Sequence, residues 1–303
     1  MEFLYFLEKL RTPIIDEFML LITQFGEETA FLVAALIIFW CVDKYIGYYI
    51  LSVGFLGTLT NQFMKLWFRI PRPWVLDANF TILEQAREAA SGYSFPSGHT
   101  QSAVGTFGAI AHTQKNRWIR VLAIVIAVLV PFSRMYIGVH TPLDVGVAAL
   151  MAIIFIAVLK PIALDKRERC MPFLLVLMSI VSIAFLAFVE CFPFPADIDT
   201  HNLESGIKNA YTMLGALMGL IVVYIVDEKW RKFTTKAVWW SQCLKVVLGL
   251  GLVLIVKSGL KTPLNFLFGE SVGRAVRYFL IVIVSGILWP MTFKWFSKIG
   301  VKE

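Results

Sequence analysis

The sequence predicts an all-α fold: a bundle of helices that crosses a lipid bilayer many times. Hydrophobic residues make up 58% of the 303-residue chain and charged residues only 16%, with a mean hydropathy of +0.73. These values lie far outside the range of soluble proteins. Several apolar stretches also approach the length of about 20 residues that a helix needs to cross the hydrocarbon core.

The predicted elements follow the apolar stretches along the chain. Residues 1–12 predict a short amphipathic helix in the membrane interface, and 13–25 a helix that is only partly inserted. Membrane spans are then predicted near 27–42, 46–68, 98–114, 118–138, 142–159, 171–190, 208–226, 238–257 and 275–293. This pattern divides the chain into an N-terminal segment (1–26), a core (27–160) and a C-terminal extension (161–303).

The distribution of charge predicts an orientation and argues against nucleic-acid binding. The short connectors on one face carry an excess of Lys and Arg, whereas the longer loops 69–96, 191–206 and 258–273 on the other face do not. Because short basic connectors stay in the cytoplasm, the long loops are expected to face outward. Much of the net charge of +7 is then explained by topology, without a nucleic-acid partner.

Polar residues cluster at three places on the predicted outer face. The first is Lys65 with Arg72-Pro73, the second is Pro96-Ser97-Gly98-His99, and the third is Ser133-Arg134 with His140 and Asp144. Taken singly, most of these residues have a structural interpretation as interfacial anchors, helix caps or interfacial histidines. Ionisable groups inside membrane segments are nevertheless costly and usually functional.

Taken together, the clusters predict a site for an anion. Two predicted helices, beginning near 98 and 142, point their N-termini and their unpaired N–H groups to the same membrane level. The three cations Lys65, Arg72 and Arg134 lie at that level too. Such a collection repels itself unless an anion lies between its members, and a phosphate group fits the geometry.

The three clusters resemble the motifs of the type 2 phosphatidic acid phosphatase superfamily, also called the lipid phosphate phosphatases. The order and spacing agree throughout: Lys65, six residues, Arg72-Pro73; then Pro96-Ser97-Gly98-His99; then Ser133-Arg134, five residues, His140, three residues, Asp144. The resemblance covers roughly 46–159. It implies a six-helix-type phosphatase core. The C-terminal extension, with about four further spans by its apolar stretches, lies outside the resemblance.

The resemblance also implies roles for the catalytic residues. His140 is expected to act as the nucleophile and to form a phosphohistidine, while Asp144 accepts the other ring N–H and fixes the tautomer. His99 is expected to protonate the leaving group and then to activate water.

The remaining motif residues are expected to bind the phosphate. The cations neutralise its non-bridging oxygens, and two neutral groups, the Ser97 hydroxyl and the Gly98 backbone N–H, add hydrogen bonds. This set comprises Lys65, Arg72, Ser97, Gly98 and Arg134. Neither a metal nor another cofactor is expected, since the arginines carry out the charge neutralisation for which other phosphatases use Mg²⁺.

A site at the membrane surface favours a lipid phosphate or diphosphate as substrate: a polyprenyl diphosphate, phosphatidate, phosphatidylglycerol phosphate or a sphingoid-base phosphate. The orientation predicts a plasma-membrane protein with its site on the extracytoplasmic face. Transfer of the phosphoryl group to another lipid is an alternative, as is an anion or lipid transporter, although transporter sites usually lie at mid-membrane. The extension is interpreted as helices for bilayer packing or for a homo-oligomer.

Overall fold

The computed structural model of the chain describes residues 1–87, 90, 92–231 and 233–299. Within these ranges the regular structure is helical, and no strand is present. The α-helices are α1 Glu2–Lys9, α2 Pro13–Thr23, α3 Glu28–Ile37, α4 Lys44–Phe68, α5 Pro73–Leu76, α6 Gly98–Thr113, α7 Arg117–Tyr136, α8 Pro142–Lys160, α9 Arg167–Cys191, α10 Thr200–Val226, α11 Trp239–Gly259, α12 Lys261–Ile283 and α13 Phe293–Phe296. The predicted all-α class is confirmed.

Six helical stretches of the described chain are long and apolar enough to cross a membrane. They are Arg117–Tyr136, Pro142–Asp165, Arg167–Cys191, Thr200–Trp230, Trp239–Gly259 and Lys261–Phe296. A seventh is obtained if Pro13–Gly26 and Glu28–Val42, which meet at an angle of 57°, count as one bent span. The protein is therefore a multi-pass membrane protein, as the composition predicted.

Two of the predicted spans, 46–68 and 98–114, are helices but are not among these six. Helix α6 has only 16 residues, many of them small or polar. Helix α4 is long enough at 25 residues, but it carries Asn61 and Lys65 near its C-terminal end. Both helices are therefore less hydrophobic at the ends where the polar motif residues lie.

The chain forms two compact units that alternate along the sequence. The first consists of Met1–Ala34, Tyr49–Asp165 and Phe194–Gly206, and the second of Ala35–Tyr48, Lys166–Pro193 and Ile207–Glu303. The predicted division at 26/27 and 160/161 stays a prediction.

In the first unit, α6 packs between α7 and α8, and α2 packs against α7. Small residues allow this close approach: the Gly108 Cα faces Ile156, and a Cβ at Gly108 would lie 2.7 Å from Ile156 Cδ1. Each of α6, α7 and α8 begins at a residue whose side chain accepts a backbone N–H of the first turn, namely Ser97, Asn116 and Thr141. The caps fix where α6 and α8 begin, and both motif histidines lie beside these two caps.

The second unit contains buried charged groups within its helices. The Lys245 ammonium, 1% exposed, donates to the Trp40 carbonyl at 2.8 Å and lies over the Phe293 ring. Lys44 and Asp227 form an ion pair of 2.6 Å in which both side chains are buried. Such groups are stable in an apolar interior only when they are paired, and here each is.

Candidate active site

The side chain of His140 lies between α7 and α8 and is 1% exposed. Its Nε2 atom is 2.9 Å from Nη1 of Arg72. The same Nη1 atom lies 3.4 Å from Nδ1, so the guanidinium faces both nitrogens of the imidazole. Because a guanidinium only donates hydrogen bonds, its position beside the ring disfavours a doubly protonated imidazole.

Asp144 begins α8 and faces the other nitrogen of the same ring. Its Oδ2 accepts the Thr141 N–H at 2.7 Å, while Thr141 Oγ1 accepts the Asp144 N–H at 3.2 Å, which completes a capping box. The distance from Asp144 Oδ2 to His140 Nδ1 is 3.5 Å, longer than an ordinary hydrogen bond. The carboxylate thus caps the helix and lies near the imidazole, and its orienting role stays a prediction.

Ser94 contacts the same two groups. Its hydroxyl donates to Asp144 Oδ2 at 2.5 Å, and its Oγ atom lies 3.4 Å from His140 Nδ1. The serine is completely buried. It therefore lies beside both the carboxylate and the ring nitrogen. The sequence analysis did not single out this residue, although it stands only two positions before Pro96.

The loop before α6 fixes two of the three cations. Lys65 Nζ donates to the Tyr93 carbonyl at 2.6 Å, and Arg72 Nε donates to the Gly92 carbonyl at 2.9 Å. Arg72 Nη1 also donates to the Val139 carbonyl at 2.9 Å. The acceptors in these three hydrogen bonds are neutral backbone carbonyls.

Arg134, the third cation, is near the end of α7 and is 1% exposed. Its Nη1 donates to Thr23 Oγ1 of α2 at 2.7 Å, and its Nε has no hydrogen-bond partner among the described residues. A buried guanidinium with an unused donor is costly unless a further acceptor binds it.

The second motif begins α6. Ser97 Oγ accepts the Thr100 N–H at 3.3 Å, and the Ser97 N–H donates to the Asp144 carbonyl at 3.1 Å, which joins the starts of α6 and α8. The Phe95–Pro96 peptide bond is cis. A Cβ at Gly98 would be 3.8 Å from Asn61 Oδ1, its nearest neighbour, so the backbone here is open to a close approach.

His99 follows Gly98 and packs against the segment between α2 and α3. The Gly26 Cα lies so near that a Cβ there would be 2.9 Å from His99 Cβ. The sequence pattern did not point to Gly26, because the two residues are far apart in the chain.

The electrostatic environment shows that the clusters converge. Burial lowers the pKa of His140 well below its ordinary value, and nearby groups lower it further. These groups are Arg72, Arg134, Lys65 and His99. Burial also lowers the pKa of Arg72 to about 10, against the opposing effect of the Asp144 carboxylate. Burial and the surrounding basic side chains thus both disfavour the protonated form of the imidazole.

The structure therefore brings all the predicted site residues into one region of the first unit. Their chemistry suits a tetrahedral anion: guanidinium and ammonium groups attract its oxygens, and an unprotonated imidazole nitrogen lies beside them. Residues that the sequence analysis missed support these groups, and they are Thr23, Gly26, Asn61, Gly92, Tyr93 and Ser94.

Comparison with known families agrees with this arrangement. Residues 44–168 match the PAP2 superfamily, and residues 211–301 match a second family described as the transmembrane extension of PAP2 superfamily phosphatases. The first match contains every predicted site residue. The second falls on the C-terminal helices, which the sequence analysis had separated from the core.

Individual relatives are similar over part of the chain. Undecaprenyl-diphosphatase BcrC of Bacillus subtilis is 35% identical over 101 residues, which cover 33% of this chain and 49% of that protein, so the chain spans about half the length of this relative. The structure of LpxE from Aquifex aeolicus has 28% identity and a TM-score of 0.47, covering 52% of this chain and 92% of that one. Phosphatidylglycerophosphatase B of Bacillus subtilis is 32% identical over 149 residues, covering 45% of this chain and 69% of that protein. The chain belongs to the PAP2 superfamily.

Proposed function

We propose that this protein hydrolyses a membrane lipid phosphate or diphosphate through a phosphohistidine intermediate. The observation that carries the proposal is the position of His140: a buried imidazole whose Nε2 lies 2.9 Å from Arg72 Nη1 and whose pKa is lowered by burial and by nearby cationic groups. The curated names of the relatives, undecaprenyl-diphosphatase and phosphatidylglycerophosphatase among them, support this substrate class.

The first step is attack by His140 Nε2 on phosphorus. A bond forms between nitrogen and phosphorus, and the ester or anhydride P–O bond breaks. The leaving oxygen takes a proton from His99, which is an imidazolium in the complex because the negative charge of the bound phosphate raises its pKa. As the nitrogen becomes bonded, the ring gains positive charge, which the Asp144 carboxylate stabilises through the Nδ1–H side. Lys65, Arg72 and Arg134 balance the negative charge on the phosphoryl oxygens.

The second step returns the enzyme to its starting state. His99, now without its proton, removes a proton from water, and the oxygen attacks phosphorus while the P–N bond breaks. Inorganic phosphate leaves, and the electron pair returns to His140 Nε2. Ser97 and the Gly98 backbone N–H contribute neutral hydrogen bonds to the oxygens in both steps.

The depth of the site supports a lipid as substrate. Helices α7 and α8 are long and apolar, and the site lies where α7 ends and α8 begins. A phosphate whose acyl or prenyl tail remains in the bilayer reaches that level without leaving the membrane. The charge distribution supports an extracytoplasmic face in the plasma membrane, since the loops on the side of the site have fewer basic residues.

The decisive experiment is phosphate release by the purified protein. Short-chain phosphatidate, phosphatidylglycerol phosphate, a sphingoid-base phosphate and a polyprenyl diphosphate are each incubated with it in EDTA, and inorganic phosphate is measured. We expect release with at least one of them and none with His140→Ala. Binding of the lipid without release would instead favour a transporter, and a phosphorylated lipid product would favour phosphotransfer.

The intermediate and the orientation have separate tests. Rapid quenching at alkaline pH should trap an acid-labile phosphoprotein in His99→Ala, and its absence from a His99→Ala/His140→Ala double variant identifies the phosphorylated residue. A single cysteine placed at Ser205 in a cysteine-free chain should react with an impermeant reagent on intact cells. Protection of that cysteine until the membrane is opened would reverse the orientation.

A further inference from the structure

A segment outside both family matches contacts the loop that holds the cations. Phe194–Gly206 follows α9 and belongs to the first unit, together with the predicted site residues. It falls between the core match, which ends at 168, and the extension match, which begins at 211. Neither match therefore assigns it a role.

Asn202, in the first turn of α10, makes the central contact. Its side chain is 9% exposed, and its Oδ1 accepts the Tyr93 backbone N–H at 3.0 Å. Gly92 has φ +83°, and a Cβ there would overlap Oδ1 of Asn202 and would be 2.9 Å from its Cγ. The loop backbone thus has a conformation that favours glycine, and it packs directly on the asparagine.

Asp199 adds two hydrogen bonds to the same contact. Its Oδ1 accepts the Asn202 N–H at 3.0 Å, and its own N–H donates to the Tyr93 hydroxyl at 3.2 Å. Asp199 therefore caps the start of α10. The same region of α10 contacts Tyr93 twice, at its backbone N–H and at its hydroxyl group.

The loop residues that Asn202 contacts are the ones that fix Lys65 and Arg72. The Tyr93 carbonyl accepts from Lys65 Nζ, and the Gly92 carbonyl accepts from Arg72 Nε. Since the Gly92–Tyr93 peptide is planar, the N–H that Asn202 accepts and the carbonyl that Arg72 contacts belong to one rigid group. A shift of this peptide therefore moves the Gly92 carbonyl, which accepts the hydrogen bond from the Arg72 guanidinium.

We infer that Asn202 is a positioning residue: it fixes the Gly92–Tyr93 peptide and thereby sets the spacing of the Lys65 ammonium and the Arg72 guanidinium for the phosphate. The inference rests on the proposed function, because it concerns the same site. It gives the segment before the transmembrane extension a function in phosphate affinity rather than only in bilayer packing. Asn202 itself does not contact the reacting atoms.

Asn202→Ala tests this inference. Loss of the acceptor leaves the partly buried Tyr93 N–H without its hydrogen-bond partner, which commonly corresponds to about tenfold in an equilibrium constant. We expect the KM for a short-chain lipid phosphate and the inhibition constant of inorganic phosphate each to rise by about tenfold, with kcat changed by less than about twofold. Asn209→Ala, seven residues along the same helix and half-buried, is the matched control and should leave both constants unchanged.

A double-variant cycle separates positioning from general destabilisation. The Cβ in Gly92→Ala displaces the loop partly because it overlaps Asn202, so its effect on phosphate inhibition should be smaller in the Asn202→Ala background than in the wild type. Equal effects in both backgrounds would overturn the inference. If Asn202→Ala does not fold, Tyr93→Phe, which removes the acceptor of the Asp199 N–H, should raise the same two constants by a smaller factor.

The outcomes distinguish the two proposals. If the wild-type protein neither releases phosphate from any lipid nor is protected by inorganic phosphate against thermal unfolding, the proposed function fails. If the wild type does both and Asn202→Ala and Tyr93→Phe are indistinguishable from it, the function stands and only the positioning role is rejected.

Discussion

Arg72 Nη1 lies 2.9 Å from Nε2 of His140, the nitrogen to which we assign the attack. Arg72 Nη1 also donates to the carbonyl of Val139, so the guanidinium is held by the residue that precedes His140. Arg72 therefore has two effects on His140: it orients the ring, and its charge disfavours the protonated form. The cation that we propose to bind phosphate therefore directly contacts the residue that we propose as the nucleophile.

Arg72→Lys should lower kcat/KM by about a hundredfold although the charge is retained. A lysine has one terminal nitrogen, and it cannot contact Gly92, Val139 and His140 together as the fork of the guanidinium does. Steady-state phosphate release measures the effect. Arg69→Lys, three positions earlier in the loop, is the control, and an equal loss in both variants would contradict the specific role.

The sequence was sufficient to find these residues because each motif is short. His140 and Asp144 are one helical turn apart, and Lys65 and Arg72 flank one helix end, so local spacing alone indicates their proximity. Local spacing does not show that the three clusters lie close together, because this depends on the tertiary structure. Their proximity followed from the resemblance and from the expectation that cations converge on an anion, and the electrostatic effect of all three clusters on His140 agrees with it. Their catalytic roles stay predictions.

The supporting residues could not be found in this way. Thr23 contacts Arg134, Gly26 packs against His99, and Asn202 contacts Tyr93, each across a long separation in the sequence. A single threonine, glycine or asparagine has no periodicity that distinguishes it from a helix cap or a loop residue. Ser94 was nearer to the motif, but a serine in a loop is equally typical of a turn.

Ser94→Ala should reduce kcat by about tenfold, with a smaller change in KM. The hydroxyl donates to Asp144 Oδ2 and lies beside His140 Nδ1, so its loss changes the support of the ring rather than the binding of phosphate. Ser205→Ala, in the segment before the extension, is a control of the same chemistry. A change in KM alone would assign Ser94 to substrate binding instead.

The pH dependence follows from the lowered pKa values of His140 and Arg72. Since the pKa of His140 is well below its ordinary value, the imidazole stays neutral as the pH falls below 6.5. NMR titration of labelled histidines, with His140→Ala for assignment, should show this. Arg72 has a pKa of about 10, so its positive charge is lost as the pH rises through that value, and KM should then increase. A His140 signal that titrates at or above 6.5 would contradict the first expectation.

Gly26→Ala should reduce both activity and stability. A Cβ at this position would be 2.9 Å from His99 Cβ and 2.8 Å from Val130 Cγ1, and neither neighbour is the free end of a flexible side chain. The beginning of α6 must therefore move, and His99 moves with it. Gly146→Ala in α8 is the matched control, since a Cβ added at this position has no neighbour within 4 Å. Because alanine has a higher helix propensity than glycine, this substitution should stabilise the protein slightly. Thermal unfolding in detergent and phosphate release measure the two effects.

The ion pair in the second unit gives a prediction that is independent of catalysis. Lys44 and Asp227 are 2.6 Å apart and buried, so Lys44→Met leaves a carboxylate in an apolar interior without its partner. Removal of one partner of such a pair typically costs about 3–5 kcal/mol, whereas replacement of both by apolar residues is often neutral. Lys44→Met should therefore lower the unfolding temperature strongly, and Lys44→Met/Asp227→Leu should recover most of the loss. Additive losses in the double variant would show that the two charges are stabilised separately by their surroundings rather than by each other.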